Sequence, residues 1–280
     1  MTFAAGIDVG STYTKAVIAE ADGALAGRGL VPTGFRLAEA ADRSLELALG
    51  EAGLTRADVS YIASTGFGRF QVAFRNVNVT DLTAAARGAR FLFPRTLTIL
   101  DVGGQTMKAS RLDGEGRVKS FRLNDKCAAG TGAFLEKTAR YLGYSTEEIG
   151  PLAATSKEPV PISGVCAVFA ESEVINHLSQ GSSPADIMHG AIVSLVERSV
   201  QLMKRVQMEP EITLLGGILR FATMVRVIRE KLGVEVNLPE GDQVQFVAAW
   251  GAALLAHHRL RKLGPQKAEL AEAAPLGGKP

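Results

Sequence analysis

An α/β fold assembled from two copies of one domain is what this sequence predicts, on three observations. In "FAAGIDVGSTYTKAVIAEADGALAGRGL", apolar runs separated by Gly and Asp-Gly punctuation give strand, glycine turn, strand, hairpin and third strand. The pattern returns in "LTILDVGGQTMKASRLDGEGRVKSFRL", where Asp101, Gly103, Lys108, Gly116 and Leu123 each follow Asp8, Gly10, Lys15, Gly23 and Leu30 by 93 positions. A constant offset with one strand and turn order argues for duplication. Helical spacing fits 36–52, 133–143, 167–179, 184–207 and 221–232, each following or interleaved with strand-like runs. That alternation is α/β.

The 280 residues suit one large or two medium domains, and two is the expectation. Lys plus Arg number 31 against 29 Asp plus Glu, so a net charge of +2 gives no general pull toward nucleic acid or a membrane surface. The first residues lack a signal-peptide pattern, and the longest apolar run, "FVAAWGAALLA", is far short of a bilayer span. A cytoplasmic protein with no nucleic-acid or membrane partner is expected. Two cysteines in a reducing cytosol point away from a structural disulfide, toward inert core thiols or metal and redox chemistry. Residues 264–280 lose periodicity and gain Pro, Gly and Ala, which reads as a flexible tail.

In both repeats a strand ends in Asp-Val-Gly before small polar residues: Gly10, Ser11 and Thr12 in one, Gly103, Gly104 and Gln105 in the other. Glycine lets backbone N–H groups approach an anion, hydroxyls and amides add donors, and Lys15 adds positive charge. Such paired loops can grip a polyphosphate from two sides. Asp8 and Asp101 can hold Mg2+ directly or through its waters, and with Gln105 they are the catalytic candidates. In "ITLLGGILRF" the pair Gly216 and Gly217, read as opening the next helix, lets a nucleoside lie against the backbone. One such turn alone is an ordinary hairpin or packing feature; two at matched positions point to nucleotide binding.

These three segments in this order resemble the actin, sugar-kinase and chaperone ATPase superfamily. The resemblance implies two ribonuclease-H-like, actin-like ATPase lobes closing around ATP in a nucleotide cleft. The expected divisions are an N-terminal lobe of 1–98 plus 246–263 and a second lobe of 99–245 that carries both cysteines.

Cys127 in "NDKCAAGTGAFLEKT" and Cys166 in "ISGVCAVFAESEVINHL" each follow a small-residue loop and precede a helix. A helix start favours a thiolate through its dipole and free N–H groups, which suits a metal ligand; two small core residues are the bland alternative. No CxxC or His-rich cluster completes a metal site within the chain, so two thiols are half of a four-thiolate set that a dimer would complete.

At this point the sequence closely resembles the ATPase family of 2-hydroxyacyl-CoA dehydratase activators and ATP-dependent benzoyl-CoA reductase subunits. The markers are "GIDVGSTYTK", "STGFGR", "DVGGQTMK", "NDKCAAGTGAFLE", "VCAVFAESEVI" and "LLGGI". The resemblance implies that Cys127 and Cys166 bind one 4Fe-4S cluster per dimer, a homodimer or a heterodimer with a related ATPase subunit. It implies ATP hydrolysis driving a low-potential electron, received from a ferredoxin-type donor, onto a CoA-thioester reductase or dehydratase partner, and the thiolate ligation of an oxygen-exposed cluster implies an anaerobic cell or compartment. Gly130, Thr131 and Gly132 then lie where the same loop can reach the nucleotide. Thr106 stands where dehydratase activators carry an acidic residue, Leu219 and Arg220 replace a more polar continuation, and residues 135–178 look more like a benzoyl-CoA reductase subunit.

Other signals are weaker. His177, His189, His257 and His258 have no ligand spacing with the cysteines and read as surface or satisfied histidines, while Trp250 reads as core. Glu173 reads as solvent-facing, and Glu171 more as structural than as a holder of water or magnesium. The alternative to the electron-transfer ATPase is a small-molecule kinase of the same superfold; a third reading is an actin-like nucleotide switch. The cysteines discriminate, because a kinase has no need of paired thiols at helix starts.

Overall fold

The computed structural model describes residues 2–125, 130–163 and 166–263. Cys127 and the expected tail at 264–280 lie outside them. In chain order the strands are β1 (Phe3–Val9), β2 (Tyr13–Ala19), β3 (Leu25–Pro32), β4 (Val59–Thr65), β5 (Val77–Asn78), β6 (Thr98–Val102), β7 (Met107–Leu112), β8 (Val118–Asn124), β9 (Ile212–Leu215) and β10 (Val236–Asn237). The helices are α1 (Leu37–Ala52), α2 (Asp81–Leu92), α3 (Gly132–Leu142), α4 (Ile149–Ala154), α5 (Ala167–Ser179), α6 (Pro184–Arg205), α7 (Ala222–Leu232) and α8 (Val247–Leu263). Described residues up to Pro94 and from Phe246 form one compact unit, and Arg95–Gln245 form the other.

The first unit is a five-stranded sheet in the order β3-β2-β1-β4-β5. β1 to β3 form an antiparallel meander, and β4 and β5 add on in parallel. One sheet face presents Ala5, Ile7, Val9, Ala16 and Ile18 to the buried stripe of α1, which includes Ala41, Leu45, Ala48 and Leu49. Burying a side chain such as Leu45 is worth roughly 1.5–3 kcal/mol. α8 covers the other face, setting Ala249, Trp250 and Ala253 against Val17 and Ala19. Trp250 is core as its apolar surroundings predicted, and its indole N–H donates to the Gly23 carbonyl at 2.9 Å.

The second unit repeats that topology. Its order, β10-β9-β6-β7-β8, is the first sheet read from the other edge, with the same antiparallel meander and the same parallel additions. Its core joins Leu100, Val102, Met107 and Ala109 to α6 residues Met188, Ile192 and Leu195 and to α7 residues Val225 and Ile228. α6 starts firmly: the Ser183 hydroxyl accepts the Asp186 N–H at 3.1 Å, with Pro184 in the first turn. The repeats differ in two crossovers. β4 reaches β5 through a short 3-10 turn, whereas β9 reaches β10 through α7. β3 reaches β4 through α1, whereas β8 reaches β9 through α3, α4, α5 and α6, and this longer crossover holds both cysteines.

Most expected elements occur within one or two residues. The glycine pair is a difference: Gly216 and Gly217 open a 3-10 turn, Gly217–Arg220, and α7 begins only at Ala222 after Phe221. Gly216 has φ +102°, which no helical residue adopts, so the chain turns before it winds. α2 had no sequence expectation, because its buried stripe is Ala84, Ala85, Ala86, Gly88 and Ala89, too small to register as strong apolar periodicity.

Candidate functional site

Each unit builds the same loop. In the first, Asp8 near the end of β1 pairs in register with Lys15 on β2, and Lys15 Nζ lies 3.2 Å from Asp8 Oδ2. Both side chains are largely buried. Between them the Gly10 carbonyl accepts the Thr33 hydroxyl at 2.9 Å, which is itself 2.9 Å from the Thr14 hydroxyl, so the turn is fixed from β3. Ser11 at the tip is exposed and Thr12 half-buried. Gly66, with φ +86°, closes the site from the end of β4: a side-chain Cβ there would collide with the Asp8 carboxylate and stand 2.6 Å from the Val9 carbonyl oxygen.

In the second unit Asp101 on β6 pairs in register with Lys108 on β7, with Lys108 Nζ 3.4 Å from Asp101 Oδ2. The Gly103 N–H donates to the Thr106 carbonyl at 2.8 Å, and Gln105 is exposed at the loop tip. Gly216 here occupies the place Gly66 has in the first unit. It follows the strand parallel to the central one, and a Cβ on it would collide with the Val102 carbonyl and stand 2.8 Å from Asp101 Oδ1. Gly217 lies against Gln245, with ordinary contact distances to a notional Cβ.

The segment Gly130, Thr131 and Gly132 is drawn onto this second loop. Gly132 N–H donates to the Gly103 carbonyl at 3.0 Å and Ala133 N–H to the Gly104 carbonyl at 2.7 Å, so α3 begins on the loop itself. Gly132 has no space for a side chain, since a Cβ would stand 2.6 Å from Ile218 Cδ1. Gly130 and Thr131 are buried, and a Cβ on Gly130 would meet Asn124, Met107 and Arg198. The structure therefore brings Asp101, Gly103, Gly104, Gly132 and Gly216 together in one unit, and Asp8, Gly10 and Lys15 in the other.

Cys166 is a free, half-buried thiol at the N-cap of α5. Just beyond it Val168 and Phe169 are 65% and 63% exposed, and Ile175 and Leu178 continue the uncovered apolar surface. The lead-in to Cys166 is tied back along α5: Ser163 N–H donates to the Glu173 carboxylate, and His177 Nε2 lies 3.1 Å from the Pro161 carbonyl. Glu173 is thus half-buried and bonded, in contrast to the solvent-facing position expected for it. Glu171 accepts from Lys137 Nζ of α3 at 2.7 Å, and that bond holds the ammonium above its ordinary range. Among the described residues, no group of three or more His, Cys, Asp and Glu side chains is placed to hold a metal ion. His257 bonds the Ala19 carbonyl at 2.9 Å, and burial holds His189 and His258 below the usual imidazole value.

The sequence pattern that builds these loops is a known one. The BadF/BadG/BcrA/BcrD ATPase family profile matches residues 5–256. The chain belongs to this family. A 2-hydroxyisocaproyl-CoA dehydratase activator from Clostridioides difficile is 37% identical over 90% of this chain and 93% of the relative. A benzoyl-CoA reductase subunit from Thauera aromatica is 36% identical over 98% of this chain and all of the relative's length. A solved activator of the 2-hydroxyisocaproyl-CoA dehydratase from Clostridium difficile with bound ADPNP is 36% identical, covers 95% of this chain and 97% of its own, and superposes with a TM-score of 0.88. A ROK family glucokinase from Streptomyces griseus, 14% identical with a TM-score of 0.57, shares the fold alone. The sugar-kinase likeness expected from the three phosphate segments thus holds for the architecture. No described helix is long and apolar enough to cross a membrane.

Two members of these loops were given no role from the sequence, although Gly66 lies within the marker "STGFGR". Lys108 was available from the 93-residue offset, which places it on Lys15. Gly66 was not, because its counterpart Gly216 lies 150 positions away, displaced by the longer crossover of the second unit.

Proposed function

We propose that this chain is an ATP-hydrolysing electron-transfer subunit, which shares a 4Fe-4S cluster with a second subunit and delivers electrons to a CoA-thioester reductase of benzoyl-CoA type or to a 2-hydroxyacyl-CoA dehydratase. The observation that carries it is Cys166: a free thiol at a helix start, followed at once by the exposed apolar pair Val168 and Phe169. The donor set fits a shared cluster, because one described thiol with no acidic or imidazole neighbours in ligating array needs further thiolates, and its surroundings are a surface that a second subunit would cover. Cys127 supplies the second thiolate of each chain in this reading. A bound cluster would take up and release one electron at a time at low potential.

The loops serve ATP. Lys15 and Lys108 exchange their Asp partners for phosphate oxygens, freeing Asp8 and Asp101 to hold Mg2+ directly or through its waters, while Gln105 orients the attacking water. Backbone N–H groups of Gly10, Ser11, Thr12 and Gly104 approach the phosphates, Gly103 turns the loop with its N–H kept on the Thr106 carbonyl, Gly216 lets the chain pass close beside Asp101, and Gly217 leaves the nucleoside room. Gly130 and Thr131 lead into the start of α3, which Gly132 and Ala133 bond to the second loop, so hydrolysis at the loop moves the start of α3.

The test is replacement. The anaerobically purified chain, with ATP and a reduced ferredoxin-type donor, is supplied to a 2-hydroxyacyl-CoA dehydratase lacking its activator and to a benzoyl-CoA reductase lacking its ATPase subunits. ATP-dependent restoration of either reaction is expected. An iron-free protein that instead phosphorylates a small-molecule acceptor would be a kinase, and the proposal would be wrong.

A further inference from the structure

α3 is bolted to the second phosphate loop at one end and to α5 along its side. At its start are the two backbone hydrogen bonds to the Gly103 and Gly104 carbonyls, with Gly132 packed too closely on Ile218 to accept a side chain. A displacement of Gly103 and Gly104 therefore carries the first turn of α3 with it, since neither bond can be kept otherwise. Farther along the helix, Lys137 reaches across to Glu171, Nζ to Oε2 at 2.7 Å, and its ammonium also stands 5.8 Å over the Tyr141 ring. Glu171 lies five residues after Cys166, within the first turns of the helix that Cys166 caps. The lead-in to the thiol is held to the same helix by Glu173 and His177, so Cys166 follows α5 as α5 moves.

We propose that the Lys137–Glu171 pair is a positioning link through which the state of the Gly103–Gly104 loop sets the placement of Cys166. The inference rests on the proposed function in one respect, that this loop faces the phosphates of ATP. The two residues contact each other, and Lys137 the Tyr141 ring, rather than the Cys166 thiol. The pair acts by making α3 and α5 shift together, and without it α5 is free to stay behind. An exposed ion pair adds little to overall stability, so its removal separates coupling from folding.

The test uses the full-length chain, treated with a chelator so that its thiols are free, with iodoacetamide labelling at Cys166 followed by peptide mass spectrometry. Rates are compared with and without ADPNP in wild type, Lys137→Met, Glu171→Gln and the exchanged double variant Lys137→Glu with Glu171→Lys. ADPNP affinity is measured on the same samples. In wild type, ADPNP is expected to change the labelling rate by about two- to fivefold, the range an exposed pair can transmit. Each single variant should bind ADPNP as wild type does with the rate ratio fallen to about one, and the exchanged variant should recover part of it. A wild-type ratio of one with ADPNP bound overturns the proposal, as does an undiminished ratio in both single variants. Failure of wild type to bind ADPNP at all is a different result: it removes the nucleotide reading, and this inference with it.

Discussion

Replacing Gly66 with alanine tests whether the Asp8 carboxylate is held where it is by the absence of a side chain at the end of β4. Gly66 has φ +86°, so any L-residue there carries conformational strain of about 1–2 kcal/mol. Gly53, the αL cap of α1 at φ +66°, has similar strain but nothing within 4 Å of a notional Cβ. The two variants thus share the backbone penalty and differ in the collision. At Gly66 the Cβ would stand 2.6 Å from the Val9 carbonyl oxygen, where ordinary contact begins at 3.4 Å, so 3.4 − 2.6 = 0.8 Å must be found by moving β1 or its carboxylate. Overpacking of this kind adds about 1–3 kcal/mol. Gly53→Ala should therefore lower the melting temperature by a few degrees, about 2–4 °C per kcal/mol, with ATP turnover intact. Gly66→Ala should lose about 2–5 kcal/mol in all and about 10²-fold in ATP turnover, since misplacement of a reacting group by about 1 Å has that effect. Circular dichroism melts and steady-state ATP hydrolysis of the two variants decide it. If Gly66→Ala hydrolyses ATP at the wild-type rate, Asp8 is not positioned by this packing or does not act in turnover.

Lys15→Ala or Asp101→Asn should abolish ATP turnover and leave iron content intact if, as proposed, both residues act at the phosphates; loss of iron from a folded variant would count against separate sites. If the proposed cluster is shared, Cys127→Ser or Cys166→Ser should remove it completely, since each deletes two of the four proposed ligands in a homodimer and one of four in a heterodimer. ADPNP affinity should change little, and a variant retaining full iron refutes the shared site. The Asp186 carboxylate accepts from the Ser183 hydroxyl at 2.6 Å, from the Ser156 hydroxyl at 2.8 Å and from the backbone N–H groups of Lys157 and Glu158. The Ser183 bond foremost holds it below the ordinary 3.8, so its contribution to stability is complete above that value and disappears as pH falls through the lower folded one. Asp186→Asn should be less stable than wild type at pH 7, with the gap narrowing below about pH 4; a gap constant from pH 7 to pH 3 would mean the charge is not what stabilises.

The duplicated strands were legible because strand order, turn glycines and the Asp and Lys positions recur at one spacing, and the structure turns that spacing into two matching ion pairs. What the spacing could not reach is set by the unequal crossover between the third and fourth strands of each sheet. Gly66 and Gly216 do the same steric work beside Asp8 and Asp101, yet only three-dimensional pairing aligns them. α2 stayed hidden for a packing reason, its stripe of alanines being shaped for close approach to α8 rather than for bulk. The bond between α3 and the second loop was equally invisible, because backbone N–H groups of Gly132 and Ala133 leave no trace in residue type. Glu171 and Lys137 lie 34 residues apart and carry no pattern linking them; only the packing of α3 on α5 does.

Sedimentation of the anaerobic protein, followed at the visible absorbance of an iron-sulfur chromophore, tests the central claim most directly. The account predicts that the chromophore travels with a particle of about twice the 29.6 kDa chain mass, carrying about four iron atoms per two chains, and that chelating the iron shifts the particle toward the single-chain mass. A chromophore sedimenting with one chain, or a colourless protein without iron, would contradict it.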